Sequence, residues 1–416
     1  MKIAVIGGGA AGMVTAYYLD RQFDVTVFEK QPILGGNIRT LNKNVKTEDK
    51  RIPSDLCIDN GVIEFDEKNF RTFHALMQEL NVPMEGVPLT TGFFFADGRH
   101  IFSVYRILST QSTLRGRLRE LRKLIFCIID LQLFMARTAN RGEEYFHGKP
   151  VSAFFRDHVY YRWLKMLLMY AYSIPYDKID QIPAALGIPM LRGYGLFTHW
   201  TRINGGVYTY IEKILEGFSG TLRLGVEIAG IKRSDDGVTI TLENGASENF
   251  DKVVFATPPD QVLKLLSDPT DQETQRFSKW QPNIAHTVIH TDTSIYDKYD
   301  ISHYSAFDLF QKENGDAGYN AFLNRLLDLS ESEPTKYNLA YNLDENIDPE
   351  KILHVQEHHT PLYTVDALES RDEIIETNGA NNTYHAGAYL YDGLHEGAVR
   401  SALTVAQLIE KSKSES

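Results

Sequence analysis

Apolar and polar positions change their period along the chain in a way that marks its elements. Ile3-Ala4-Val5-Ile6 is a short apolar run cut off by glycine, as in a buried strand. Met13-Val14-Thr15-Ala16-Tyr17-Tyr18-Leu19 then carries apolar residues at helical spacing, and Asp24-Val25-Thr26-Val27-Phe28 reads as a second strand ending at Glu29. Leu222-Arg223-Leu224-Gly225-Val226 and Val238-Thr239-Ile240-Thr241-Leu242 alternate like strands and lead into the run Phe250 to Pro259. Leu114, Leu118, Leu121, Leu124, Ile125, Ile128 and Ile129 predict a helix, and Val399, Leu403, Val405 and Leu408 give another one apolar face. The stretch from Tyr160-Tyr161-Arg162-Trp163-Leu164 to Tyr170-Ala171-Tyr172 adds aromatic residues that read as core. Strands interleaved with helices predict the α/β class.

The first strand and helix enclose Gly7-Gly8-Gly9-Ala10-Ala11-Gly12, which matches G-x-G-x-x-G. Gly7 permits the tight turn and Gly9 lets the backbone approach a pyrophosphate, with Ala10 and Ala11 at the helix start. Gly12 lets helix and strand pack closely. The positive end of the helix then faces the phosphate charge. Glu29 lies 22 residues after Gly7, where a carboxylate accepts hydrogen bonds from ribose hydroxyls. This predicts a dinucleotide site without choosing between FAD and NAD.

Glu29-Lys30-Gln31-Pro32-Ile33-Leu34-Gly35-Gly36-Asn37 resembles the E-x5-G-G-R stretch of the flavin amine oxidase superfamily, which includes phytoene desaturases and protoporphyrinogen oxidases. Asn37 stands where Arg is usual, with Arg39 two residues on. The segment from Trp200 to Tyr208, with its Gly205-Gly206 turn, resembles the superfamily's helix start near the flavin. Asp59-Asn60-Gly61-Val62-Ile63-Glu64-Phe65 is similar to a strand of the bacterial group known as predicted NAD/FAD-binding amine oxidase-like proteins. Most specific is Tyr384 to Ala402, which resembles the motif that closes over the flavin. There the resemblance implies contacts from Gly387, Glu396, Gly397 and Ala398, and from Val226 to the adenine. It sends the N–H groups around Gly397 and Ala398 to the N1–C2=O edge of the ring. Tyr391, Asp392, Gly397 and Ala398 depart from the bacterial group's pattern, so its substrate pocket does not carry over. No Cys lies near the closing motif, which implies dissociable, non-covalent FAD.

The resemblance implies a Rossmann-like FAD-binding domain of glutathione-reductase-like, flavin amine oxidase type, interleaved with an α+β substrate domain. The expected division is 1–75, 201–260 and 356–416 for the FAD domain and 76–200 and 261–355 for the substrate domain. A chain of 416 residues is long enough for two cores. A second G-x-G-x-x-G unit for NAD(P)H is not apparent, since Gly193-Tyr194-Gly195 lacks the third glycine, so the flavin is expected to be reduced by substrate. Trp200, Tyr391 and His395 are the catalytic candidates nearest the flavin. The expected activity is an FAD-dependent oxidase, dehydrogenase or desaturase taking a hydride from a hydrophobic substrate, acyl lipids included. The alternatives are an amine oxidase and, in another class, a non-catalytic flavin-holding or membrane-docking partner.

Charge narrows the partners. At a formal −12 the chain argues against nucleic acid, whose phosphates call for a clustered basic face. Two cysteines, Cys57 and Cys127, make neither a disulfide framework nor a zinc site, and the cluster His354, His358 and His359 lacks further ligands, so no metal is expected. The opening strand without a secretory leader and the lack of a long apolar run predict a cytoplasmic protein. One segment runs against the overall charge. Residues 106–141 hold Arg106, Arg115, Arg117, Arg119, Arg122, Lys123, Arg137 and Arg141 against Glu120 and Asp130, a net +6. A basic amphipathic helix of this kind suits peripheral contact with an anionic membrane, or else presents a solvated basic face.

Overall fold

A computed structural model describes residues 1–416 except 88–89, 111–112, 140, 156–160, 194–197, 300, 302, 331 and 415–416. Tyr160 and the Tyr194-Gly195 pair therefore lie outside the described residues.

The strand Lys2–Ile6 sits at the centre of a five-stranded sheet. On one side it pairs with Asp24–Glu29, which pairs in turn with Thr221–Leu224 at the edge. On the other side lie Lys252–Phe255 and then Thr383–His385, and every pairing is parallel. Strands buried on both faces read as unbroken apolar runs, which is why residues 3–6 and 253–255 show no alternation. The helix Ala10–Leu19 is sandwiched between this sheet and the helix His395–Ser414, with Met13, Val14, Ala16 and Leu19 fully buried. The run 222–226 pairs with the parallel sheet as Thr221–Leu224, not with the small meander, because Gly225 at φ +65° turns the chain away. The meander itself is Ile228–Ser234, Gly237–Leu242 and Ser247–Phe250.

A second, seven-stranded sheet has the order Ile352–Leu362, Gln281–His290, Asn338–Tyr341, Ala317–Phe322, Phe307–Gln311, Thr91–Phe94 and His100–Phe102. Its pairings are antiparallel except that of Phe307–Gln311 with Thr91–Phe94. The strand Ile352–Leu362 runs unbroken through residue 356. The aromatic helix Tyr161–Tyr172 packs on this sheet at Ala317–Phe322. A three-stranded ribbon of Glu64–Asp66, Trp200–Ile203 and Met84–Val87 completes the walls around the site.

The basic segment folds as the helix Leu114–Thr138, preceded by the short helix Val104–Thr110. The structure takes Arg106 out of the expected basic surface. It is 2% exposed and donates to Asp308 Oδ1 at 3.0 Å, a buried charge held by a buried partner. Among the described residues, no helix is long and apolar enough to cross a membrane.

Candidate active site

A cavity of about 690 Å3 runs from the glycine turn, across the ends of the parallel strands, to the seven-stranded sheet. Gly7, Gly9, Ala10, Ala11, Glu29 and Lys30 line its nucleotide end, followed by Gly35, Gly36, Asn37, Arg39 and Val226. Trp200, Gly387, His395 and Ala398 line the middle. Gly12, Tyr391, Glu396 and Gly397 stand behind the wall.

The glycines of the turn serve different needs. A Cβ at Gly12 would lie 1.9 Å from the Gly7 carbonyl oxygen, so helix and strand approach only because it has none. Gly7 has φ +107°, and its Cβ would meet the Ala256 oxygen at 2.6 Å. At Gly9 the nearest atom to a Cβ is Gly36 Cα, at 3.5 Å. Packing does not demand a glycine there, and its bareness leaves room on the cavity side. Gly9 also caps the helix Ala10–Leu19 without a side chain, and no acid stands in the first turn. The free helix start is suited to an anion.

Glu29 is already part of the frame. Its Oε2 accepts from the Gly8 N–H at 2.7 Å and its Oε1 from the Gln31 N–H at 2.8 Å. A carboxylate has about four lone-pair sites, so two remain for a ligand. Asn37 donates its amide to the His359 carbonyl at 3.0 Å and so ties this loop to the seven-stranded sheet. Arg39 donates to the Leu34 carbonyl at 3.3 Å, and burial lowers its pKa against the pull of Glu29.

The closing turn departs from expectation in three ways. First, the Gly397 N–H donates to Asp392 Oδ1 at 2.9 Å and the Ala398 N–H to the Leu394 carbonyl at 3.2 Å. Neither donor is left for a flavin edge. Second, Glu396 turns to another helix, where its carboxylate accepts from the N–H groups of Thr72 and Phe73, each at 2.9 Å. It thereby caps the helix Arg71–Glu79, which has no side-chain cap of its own. Third, Tyr391 points away from the cavity. Its hydroxyl lies 3.1 Å from Thr404 Oγ1 and Arg400 covers its ring at 4.3 Å. Tyr389, inside the 3₁₀ turn Ala388–Leu390, reaches the cavity instead, because Tyr391 lies past the end of that turn, where the chain changes direction.

His395 does line the cavity, but as a packed ring. Its Nε2 is 2.9 Å from the Tyr210 hydroxyl, and Phe65 and Phe73 flank it at 5.5 and 5.0 Å. Burial lowers its pKa to about 4, so it is neutral at pH 7. Trp200 is buried in the ribbon between Asp66 and Val87.

Beyond these residues the cavity opens into a chamber walled by Ile63, Tyr170, Met190, Phe307, Tyr319 and Leu339. Glu64, not among the residues singled out in the sequence, brings a carboxyl to it. The Tyr170 hydroxyl donates to the Glu64 carboxyl, and burial raises the Glu64 pKa to about 8. Strand alternation holds the signal, since Phe65 fills the core and its neighbour must face the other way. Tyr172 and Tyr363 stand farther along the wall, with ring centroids 5.7 Å apart. Thr257 Oγ1 and the Tyr389 hydroxyl are buried in the wall and have no hydrogen-bond partner among the described residues. Of the histidine cluster, His358 Nε2 lies 2.9 Å from Thr287 Oγ1 and His359 Nε2 is 2.9 Å from Asp260 Oδ1. Among the described residues no three His, Cys, Asp or Glu side chains gather as a metal site.

Known proteins sharpen the reading. The family described as flavin containing amine oxidoreductase matches residues 10–340. A CLA-producing fatty acid isomerase from P. acnes superposes with a TM-score of 0.68 at 17% identity, over 98% of both chains. Cyclohexylamine oxidase from Brevibacterium oxydans IH-35A superposes with a TM-score of 0.70 at 13% identity, over 99% of both chains. Putrescine oxidase bound to putrescine gives 0.68 at 13% identity, again over 99% of both. No curated protein sequence matches closely enough to count as a relative. At such identities the solved structures speak for the fold, while the family match covers most of the chain. An anion-ready helix start, a bare glycine beside it and a cavity with orphaned donors fit the cofactor of that family. The chain accordingly belongs to the flavin-containing amine oxidoreductases and is a flavin-dependent oxidoreductase.

Proposed function

We propose that this protein binds FAD without a covalent link and oxidises a hydrophobic substrate, with acyl chains as the leading class. The observation that carries this reading is the continuity of one cavity from the glycine turn to the apolar chamber. Gly9, Ala10 and Ala11 would hold the pyrophosphate and Glu29 the ribose through its remaining lone pairs. Val226 would meet the adenine, and Gly387 and Ala398 would flank the ring. Neither Cys57 nor Cys127 lines the cavity, which supports a dissociable cofactor. In this reading the flavin rests on 1–75, 201–260 and 356–416 and the substrate on 76–200 and 261–355.

When bound, the flavin supplies hydride acceptance at N5. The residues of the chain supply the surroundings. The chamber walls exclude water and align an apolar chain. Glu64 holds a proton at neutral pH beside the Tyr170 hydroxyl, so the pair can relay a proton at the reacting end. His395, neutral and packed, shapes the wall. The fatty acid isomerase of P. acnes, alike in fold, acts on a substrate of the proposed class.

A second reading, an amine substrate, is favoured by the Tyr172–Tyr363 pair in the wall, with planes at 57°, and by the fold of the two amine oxidases. Lys30, at the nucleotide end, is the one lysine among the described wall residues.

Two measurements decide. Acid precipitation should release all flavin as FAD; flavin left in the pellet, or FMN, defeats the cofactor assignment. Anaerobic mixing with unsaturated fatty acids and with primary amines should bleach the flavin band with the acyl compounds. Bleaching with amines alone transfers the assignment to the second reading.

A further inference from the structure

The helix Leu114–Thr138 has two faces, and only one of them meets the protein. Glu120, Cys127, Phe134 and Thr138 are buried, three of them one heptad apart. On the opposite side Leu114, Leu118, Arg122, Ile125, Ile129 and Leu133 follow at steps of three and four, which a helix of 3.6 residues per turn places in one stripe. The aliphatic members of that stripe are exposed from 46% at Leu133 to 73% at Leu114, and Phe126 beside them is 52% exposed. Tyr105 and Leu108 on the adjoining helix Val104–Thr110 are exposed as well. Most of the large apolar side chains exposed among the described residues lie between Tyr105 and Leu133. Such clustering is rare on a surface that faces only water.

Charge identifies what covers it. Arg115 and Arg122 are exposed on the same side of the helix, Arg119 and Arg137 are exposed at its flank, and none of its described exposed positions is acidic. Glu120 is turned inward, where it accepts from Lys123 at 3.1 Å. An arginine-rimmed apolar stripe on a chain of formal charge −12 complements a surface that is anionic outside and apolar beneath.

We propose that the outer face of Leu114–Thr138, with Tyr105 and Leu108, docks this protein on an anionic lipid bilayer, lying in the headgroup region without crossing it. The aliphatic and aromatic side chains enter the acyl boundary and the arginines meet lipid phosphates. The inner face leads towards the chamber. The Phe134 ring lies 6.1 Å from that of Phe155 and Phe155 lies 6.1 Å from Tyr161, and the helix that starts at Tyr161 carries Tyr170 and Tyr172 into the cavity wall. The lipid-facing helix is thus one helix removed from the chamber. The proposal stands on this surface alone and does not depend on the substrate class.

The test uses the whole flavin-loaded protein and sedimenting vesicles of phosphatidylcholine with or without phosphatidylglycerol. The expected result is binding to the anionic vesicles at low salt, at least tenfold weaker on neutral vesicles and at high salt. The triple variants Leu118→Ser/Ile125→Ser/Ile129→Ser and Arg115→Glu/Arg119→Glu/Arg122→Glu should each lose at least tenfold in binding with their flavin content unchanged. No binding of the unaltered protein to anionic vesicles at low salt overturns the proposal, as does binding indifferent to lipid charge. A stable dimer in light scattering that the apolar variant splits also overturns it, and assigns the stripe to a second copy of the chain.

Discussion

Two turns bring a helix start to the same cavity, and they differ in what holds them. At Gly7–Gly12 the requirement is for missing atoms: the turn closes because Gly12 has no Cβ to strike the Gly7 carbonyl, and its helix start is left without a side-chain cap. At Gly387–Ala398 the requirement is for particular partners. Asp392 takes the N–H of Leu394 at 2.9 Å and that of Gly397 at 2.9 Å, while Glu396 leaves to cap a distant helix. A glycine motif can be read from sequence because absence has one geometric meaning. A polar turn cannot, since several acceptors compete for each N–H and the winner depends on what the fold brings near.

Substitutions can break or sharpen this contrast. The largest effect is expected from Gly12→Val, whose side chain would enter the Gly7 carbonyl; it should cost more than about 3 kcal/mol and yield colourless, poorly folded protein. Gly9→Ala is the counterpart. With no protein atom nearer than 3.5 Å, it should melt as the parent does yet hold flavin at least about tenfold more weakly, by titration of the apoprotein. Equal melting of the two variants would break the distinction between a packing glycine and a binding one.

Glu29→Ala strips the acceptor from the Gly8 and Gln31 N–H groups, so it should lower the stability of the apoprotein by about 1–3 kcal/mol as well as weaken flavin binding. A loss confined to the loaded protein, by denaturant unfolding, would make Glu29 a ligand group only. Glu64→Gln tests the chamber. The Glu64 pKa rises on folding from 4.5 to about 8, so the folded state holds the extra proton in that window and the carboxyl's contribution is lost as pH rises through it. The variant should therefore gain on the parent between pH 5 and pH 8, by on the order of 1–2 kcal/mol once screening in the open cavity is allowed for. A pH-independent difference would place an ionised Glu64 in the wall. The smallest effect is expected from Glu396→Gln, about 1 kcal/mol from a weakened cap on Arg71–Glu79, with flavin affinity unchanged. A loss of flavin affinity would return Glu396 to the cofactor.

The same logic explains what could be foreseen elsewhere. The strand at residues 3–6 is legible as an apolar run cut off by glycine, and the strands at 24–28 and 238–242 and the helix at 114–129 through their period. The seven-stranded sheet did not, since its Phe307–Gln311 strand finds a parallel partner in Thr91–Phe94, far back along the chain. Arg106 reads as surface charge in the sequence yet is buried against Asp308, and Glu64 meets Tyr170 across 106 residues of sequence. Groups defined by long-range partners leave little trace in local pattern.

The strand order of the parallel sheet also governs how the protein is made. Lys2–Ile6 leaves the ribosome long before its second neighbour, Lys252–Phe255, and Thr383–His385 at the sheet edge comes later still. During that interval the nascent βαβ unit carries an unpaired edge, the kind of surface that aggregates unless shielded. Translation must also deliver the whole seven-stranded sheet before Thr383–His385 covers the edge left by Lys252–Phe255. Loading with flavin is therefore an event of the finished chain, and a ribosome-bound fragment halted before Thr383 should remain colourless in excess cofactor.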